Sequence, residues 1–171
     1  MSVESLFAKS AVEKLEEYRG RIDVCLGKLD EAQIWERGGE NENAIGNLIL
    51  HLAGNVRQWI VCSLGGIPVD RDRDSEFDAR GGFTSAQLSH KLRETVDAAS
   101  TIIERLTTEQ LTRSYEVQIY KVSGVEAVFH VVEHFAHHAG QIIFVTKMLT
   151  ATDLGFYSHL RSAKAGSTTT G

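Results

Sequence analysis

Apolar side chains recur at intervals of three and four residues along most of this 171-residue chain, and that spacing is typical of one buried face of an α-helix. The pattern predicts four long helices, over residues 3–29, 44–64, 84–106 and 124–149. Residues 114–121 alternate polar and apolar side chains, which indicates an extended crossover or a short strand. The predicted fold is therefore an all-α four-helix bundle with a long crossover before its last helix.

The last predicted helix carries four of the chain's seven histidines within nine residues. His130, His134 and His138 are spaced four residues apart and so share one face, which Gln141 continues about 20° from His134. The rest of this helix is apolar nearly all round, a pattern that places the polar face inside the bundle. Buried imidazoles need polar partners, and a metal ion is a partner that several of them can share.

The second predicted helix has a polar face of its own, centred on His51. Asn47 and Asn55 lie within about 40° of His51, and Gln58 lies within about 20°. A catalytic zinc site needs about three protein ligands and one open position. If the two polar faces meet, the site has three histidine ligands: His51, His134 and His138. The alternative is a row of buried histidines that bond to the neighbouring side-chain amides without a metal.

Two further histidines of the last helix leave other interpretations open. His130 and His137, which lies about 60° off the histidine ladder, are candidates for packing or for contact with a substrate. Residues 130–134 also spell H-x-x-E-H, the signature of a class of zinc proteases in which the glutamate is the general base. Those proteases take a further acidic ligand downstream, but after Glu133 this chain has no glutamate and a single aspartate, Asp153. We interpret the motif as coincidental.

Composition narrows the classes of function. The net charge of −5 argues against a nucleic-acid partner, because such proteins carry a basic face. No apolar run reaches the length of a membrane span, and the first residues do not resemble an export signal. Cys25 and Cys62 are too few for a disulfide framework and are predicted to be reduced, as in the cytoplasm.

The chain is predicted to form one domain over residues 1–162, followed by a disordered tail over residues 163–171. The mixed-charge segment 70–82 is predicted to be a solvated loop. His90 and His159 are predicted to be surface residues.

Two segments resemble the signature helices of the DinB-like/YfiT-like superfamily: residues 43–59, and residues 132–142 with the sequence Val-Glu-His-Phe-Ala-His-His-Ala-Gly-Gln-Ile. The similarity covers nearly the whole chain. It implies an up-down-down-up bundle, where the order of helices alone favours a simple up-and-down one. It also implies a homodimer and a site for zinc, nickel or a related divalent ion on three residues: His51, His134 and His138.

The resemblance also implies a choice of activities. Some relatives are transferases or isomerases that use low-molecular-weight thiols such as mycothiol or bacillithiol, and others are described as metal-dependent hydrolases. Hydrolysis needs a carboxylate base near the bound water, whereas coordination alone deprotonates a thiol. The two polar faces carry neutral amides in place of a carboxylate: Asn47, Asn55, Gln58 and Gln141.

Thiol-dependent transfer to a small-molecule substrate is therefore the preferred prediction, and a carboxylate from residues 70–82 would reverse the order. The alternative from another class is a stress-related binding protein with a structural metal. Such a site is closed by a fourth protein ligand, for which His130 and Asn55 are candidates.

Overall fold

The computed structural model describes residues 2–158 and 160. Seven α-helices and one two-stranded sheet make up this part of the chain, and a π-helix (Arg57–Leu64) directly continues the third α-helix. The α-helices are α1 (Val3–Leu26), α2 (Glu31–Trp35), α3 (Ile45–Val56), α4 (Arg73–Asp78), α5 (Ser85–Ile103), α6 (Thr108–Thr112) and α7 (Gly124–Thr150), and the strands are β1 (Ser114–Val117) and β2 (Tyr120–Ser123). None of the described helices has the length and apolar character needed to cross a membrane.

Four long helices form the bundle, in which α1 packs against α5 and α7, and α3 packs against the same two helices. The Ser85 hydroxyl donates to the Leu26 carbonyl, and Trp35 Nε1 donates to the Phe83 carbonyl. The start of α5 therefore lies beside the end of α1 and beside Trp35, which precedes α3 in the sequence. Helices α3 and α5 thus begin at the end of the bundle where α1 finishes. As a consequence α3 and α5 run parallel to each other and opposite to α1.

Contacts at the other helix ends fix the direction of α7. The Thr108 hydroxyl, just past α5, donates to Glu4 at the start of α1. Arg21 near the end of α1 donates to the Tyr157 hydroxyl beyond α7. Helix α7 therefore runs parallel to α1, and the up-down-down-up prediction is confirmed.

Both long connections pass beside the second helix of the bundle. Because α3 and α5 are parallel, residues 65–84 must return along the bundle, and they do so with α4 packed against α3. The connection before α7 contains α6 and an antiparallel hairpin in which Ser114 pairs with Ser123 and Val117 with Tyr120. The extended structure predicted at residues 114–121 is thus a hairpin, with its turn at Gln118, where φ is 57°.

The apolar face of each long helix supplies the core, as periodicity predicts. Full burial of one such side chain contributes roughly 1.5–3 kcal/mol. Among the largest side chains without solvent contact are Leu15, Ile22, Ile49, Leu52, Leu92, Phe135 and Ile142.

Two details of the helix ends differ from prediction. Helix α1 ends at Leu26, three residues early, because Gly27 follows it and Asp30 begins α2 with a capping box. Asn is a favoured N-cap residue, so the sequence predicts Asn43 as the cap of the second helix; this is wrong, because Ala44 is the N-cap. Its backbone N–H is satisfied by Asn47 Oδ1 at 3.1 Å.

Candidate metal centre

Three imidazole nitrogens converge between α3 and α7. His134 Nε2 lies 3.1 Å from His51 Nε2 and 3.2 Å from His138 Nε2. Nitrogen ligands about 2.0–2.1 Å from a metal lie about 3.4 Å apart in a tetrahedron and about 2.9 Å apart in an octahedron. The observed distances fall between these values, so the three histidines could hold one metal ion, as their mutual distances below 4.8 Å also indicate.

The other ring nitrogen of two of these histidines has a partner that fixes the ring. His51 Nδ1 lies 3.1 Å from Glu76 Oε2, and His138 Nδ1 lies 2.6 Å from Gln141 Oε1. A carboxylate or amide oxygen can only accept, so both contacts favour the tautomer that carries its proton on Nδ1 and its lone pair on Nε2. Arg71 Nη2 also lies 3.1 Å from His51 Nδ1, and of the two contacts at that atom the one with the Glu76 carboxylate is the one that fits a metal on Nε2. This arrangement is typical of metal-binding histidines, whose second nitrogen donates to a carboxylate or carbonyl oxygen.

Burial favours the neutral form of the two histidines on α7. It lowers the pKa of His134 to about 3, with help from the neighbouring His138 and His51. Burial also lowers the pKa of His138, against the opposing effect of the Gln141 bond. Both rings are therefore neutral at pH 7 and have a lone pair to offer. Among the described residues, His134 Nδ1 has no hydrogen-bond partner.

A buried ion pair from the 65–84 connection supports His51. Arg71 Nε and Nη2 donate to the two Glu76 oxygens, each at 2.7 Å, and both side chains are less than a tenth exposed. Burial raises the pKa of Glu76, but the hydrogen bonds from Arg71 and His51 lower that pKa by a larger amount. The net shift is therefore downward. The Glu76 carboxylate is thus ionised at neutral pH and faces the Nδ1 side of His51.

A glycine in α3 makes room for this ion pair. A Cβ at Gly54 would collide with Glu76 Oε1 and would lie 2.8 Å from Arg71 Nε. The absence of a side chain at Gly54 therefore lets the pair approach the helix that carries His51.

Asn47 holds the ion-pair segment in place and does not reach the histidines by any hydrogen bond. Asn47 Nδ2 donates to the carbonyls of Glu76 and Ala79, each at 2.9 Å. Arg37 Nη2 donates to Asn47 Oδ1 and to the Phe77 carbonyl, each at 2.7 Å. Asn47 is thus a positioning residue for α4.

The prediction of a solvated loop over residues 70–82 is correct for most of its side chains but wrong for Arg71 and Glu76. These two are buried against His51, and residues 73–78 are helical. The sequence carries no sign of their burial, because charged residues in a mixed-charge run are typical of a protein surface. Their role depends on contacts with α3, which local periodicity does not encode.

A cavity of about 570 Å³ opens beside the histidine cluster, a size suited to a small molecule. Its walls come from α3, the π-helix, the 65–84 connection, the hairpin and α7, and they include His51, His134, Asn55, Trp59, His130, Tyr120, Arg71 and Arg73. Asn55 is 5% exposed, and its Oδ1 has no hydrogen-bond partner among the described residues.

The π-helix changes which side chains face this cavity. An α-helical projection places Trp59 on an apolar flank, but a π-helix has more residues per turn and shifts the positions that follow Val56. The Trp59 ring stacks on His130 with 3.9 Å between centroids. Gln58 Oε1 accepts from Arg71 Nη1 and from Gln118 Nε2, each at 2.8 Å, and so joins the π-helix to both long connections.

The other candidates on α7 have distinct positions. His130 lies between Trp59 and His134, with its centroid 5.5 Å from that of His134, and burial lowers its pKa. His137 is exposed on α7, with its ring 5.1 Å from that of His138. Glu133 is also exposed, which gives no support to the protease motif.

Two histidines, His90 and His159, were predicted to lie on the surface away from the site, and the structure describes one of them. His90 is exposed and lies 3.4 Å from Glu94, whereas His159 and the 163–171 tail fall outside the described residues. Cys25 and Cys62 are buried and free.

Comparisons with known proteins agree with this fold. Residues 2–162 match a family described as Protein of unknown function (DUF1572). A DinB-like protein, YjoA, of Bacillus subtilis has a similar structure, with TM-score 0.65, 21% identity, and coverage of 86% of this chain and 97% of that one. A conserved protein from Enterococcus faecalis gives TM-score 0.75 at 14% identity, covering 89% and 99%. No curated protein matches. The chain is a member of the DUF1572 family and shares the helical fold of the DinB-like protein YjoA.

Proposed function

We propose that this protein is a metal-dependent enzyme whose His51, His134 and His138 bind one divalent cation, zinc or nickel, through Nε2. The observation that carries the proposal is the convergence of three Nε2 atoms beside an open cavity. A cation bound there supplies a positive charge that lowers the pKa of a thiol or water beside it.

An open site favours an enzyme over a protein with a structural metal. Structural zinc sites have four protein ligands, whereas catalytic sites have three. Among the described histidines, cysteines and acidic residues, no fourth member joins the cluster. Of the two other candidates for a fourth ligand, His130 is occupied in a stack with Trp59, whereas Asn55 lines the cavity and its Oδ1 has no hydrogen-bond partner among the described residues. Because His51 and His134 line the cavity, a small molecule can approach the cluster directly.

Thiol-dependent transfer remains the chemistry that the site supports best. Glu76 is near the cluster, but it faces His51 Nδ1 and is paired with Arg71. Glu126 lines the cavity and accepts from the backbone and hydroxyl of Ser123. Glu76 is thus engaged through both oxygens and Glu126 is held at the N-cap of α7 through Oε2, which argues against hydrolysis with either as the general base. A low-molecular-weight thiol is the proposed co-substrate.

The experiment that tests this chemistry is an assay of the metal-loaded protein with an electrophile and several low-molecular-weight thiols. A parallel panel contains esters and amides without thiol. The proposal expects a thiol adduct that forms only with metal. Metal-dependent ester or amide turnover without any adduct would make the protein a hydrolase.

We also propose a homodimer formed through α7. Its outward face exposes Val125, Phe129, Phe144 and Met148 by 40–68%, with Gly140 between the two phenylalanines. These four positions are symmetric about the helix centre, so an antiparallel second copy would place Phe129 against Phe144 and Val125 against Met148. Light scattering at micromolar concentration should give a dimer mass that Phe144→Glu converts to a monomer. A monomeric wild type would contradict the proposal.

The cytoplasmic location and the absence of a nucleic-acid partner stay predictions.

A further inference from the structure

Two arginines of the 65–84 connection line the same cavity but differ in their partners. Arg71 is buried and neutralised by Glu76. Arg73 is exposed, and no ion pair in the described part of the chain includes it. Its guanidinium therefore borders the cavity with no carboxylate at ion-pair distance, although Asp72 and Asp74 flank it in the sequence.

The position of Arg73 is set by an aromatic ring that also touches the histidine cluster. Its guanidinium carbon lies 4.8 Å from the centroid of the Phe77 ring, a distance typical of a cation–π contact. The other neighbour of the Phe77 ring is His51, with 4.7 Å between centroids. Arg73 is thus separated from the cluster by a single ring, and its N–H donors remain available to a ligand.

The charges around the cavity favour an anionic ligand. Imidazole ligands are neutral and leave a divalent cation with its full charge. Arg71 and Glu76 cancel, and Glu126 is the only other acidic residue among the described residues that line the cavity. One carboxylate cannot offset both Arg73 and a divalent cation, and a thiolate would offset the cation only in part.

We propose that Arg73 selects substrates that carry a carboxylate. The reacting atom lies at the histidine cluster, and the carboxylate, a few atoms away, accepts hydrogen bonds from the Arg73 guanidinium. This inference rests on the proposed function, because it assigns a ligand class to the same site. Arg73 would distinguish an anion from its neutral analogue of equal shape.

The test compares two thiols that differ in one group, 3-mercaptopropionate and 3-mercaptopropionamide. Each is titrated into cobalt-loaded protein, and binding is read from the sulfur-to-cobalt charge-transfer absorption. The wild type should bind the carboxylate about tenfold more tightly than the amide. This preference should shrink at high salt, because salt screens an exposed charge.

Substitutions separate Arg73 from the general charge of the protein. Arg73→Gln should bind both thiols equally while its affinity for the amide is unchanged, and Arg73→Lys should keep part of the preference. Arg105→Gln, an exposed residue after α5, removes the same charge elsewhere and should leave the preference intact. Equal binding by the wild type, or a full preference in Arg73→Gln, overturns the proposal.

Failure of the thiol chemistry has a different signature. If neither thiol produces the charge-transfer absorption, the proposed thiol function fails. The preference for a carboxylate is then measured by calorimetry with phenylacetate against phenylacetamide, in the wild type and in Arg73→Gln. A carboxylate preference lost in the variant supports the role of Arg73, and equal affinities in the wild type overturn it.

Discussion

Helix α7 and the connection over residues 65–84 both serve the same histidine cluster, but in different ways. Helix α7 supplies His134 and His138 from successive turns, so helical spacing alone brings their rings together. The connection supplies Glu76, which reaches His51 only because of contacts distant in sequence, such as that with Asn47. The two nitrogen donors on α7 thus come together through local helical structure, whereas the orientation of His51 depends on tertiary packing. Substitutions in the connection should therefore affect the metal site and the fold together.

The largest effect is expected from Glu76→Gln. The substitution leaves buried Arg71 without a countercharge, a change that typically costs about 3–5 kcal/mol. It also removes the carboxylate that orients His51, which should lower metal affinity about 10- to 100-fold. Urea unfolding and competition with a zinc chelator measure the two quantities. Glu94→Gln, at an exposed ion pair with His90, is the control and should change neither. Unchanged stability in Glu76→Gln would show that the ion pair does not matter for the fold.

A somewhat smaller effect is expected from Gly54→Ala. The added methyl group displaces Glu76 and Arg71 from α3, and overpacking of this kind costs about 1–3 kcal/mol. Metal affinity should fall with stability, because Glu76 can no longer hold His51. Gly20→Ala is a matched control on α1, since nothing lies within 4 Å of its Cβ position. It should stabilise the protein by up to about 1 kcal/mol. If the two alanines behave alike, the close approach at Gly54 has no energetic role.

Acid should destabilise the metal-free protein more modestly. Burial lowers the pKa of His134 to about 3 in the folded protein, so between that value and about 6.5 the unfolded chain binds a proton that the folded one does not. The free energy of unfolding should therefore fall as the pH decreases through this window. His130 and His138 act in the same direction.

Urea unfolding at pH 7 and pH 5 measures this dependence. His134→Gln should show a smaller loss than the wild type, whereas His90→Gln should match the wild type because His90 is exposed. Equal stability of the wild type at both pH values would mean that the cluster is not buried as described.

The smallest effect is expected from Gln141→Leu on α7. Gln141 orients His138 by one hydrogen bond, but it is exposed, and helical spacing already places His138 beside His134. Metal affinity should fall only a few-fold, below the usual range for such partners. Glu133→Gln, also exposed on α7, should change neither affinity nor activity. A loss of activity in Glu133→Gln would restore the protease interpretation of residues 130–134.

Periodicity was enough to predict the bundle and to place His134 and His138 on one face of its last helix. It put His51 beside them only on the condition that the two polar faces meet, and the family resemblance implied the same three residues. It also identified Gln141, three residues from His138 on the same face. The direction of the helices needed the family resemblance, since apolar spacing does not determine which way the next helix runs.

Three features were not predictable from local pattern. Trp59 faces the cavity because the helix changes to a π-helix at Arg57, and we find no local signal for that change. Asn47 has the helical phase of His51 but bonds to α4. Glu76 and Arg71 are buried because each neutralises the other beside a glycine, and this depends on tertiary structure.

Metal content decides whether His51, His134 and His138 form a metal site. The protein is purified without chelators and without a nickel column, then analysed by elemental mass spectrometry before and after reconstitution with Zn²⁺ and Ni²⁺. The account predicts about one divalent ion per chain in the wild type and near zero in His134→Ala, which removes the central nitrogen of the cluster. Near-zero metal in the wild type after reconstitution with either ion would contradict it.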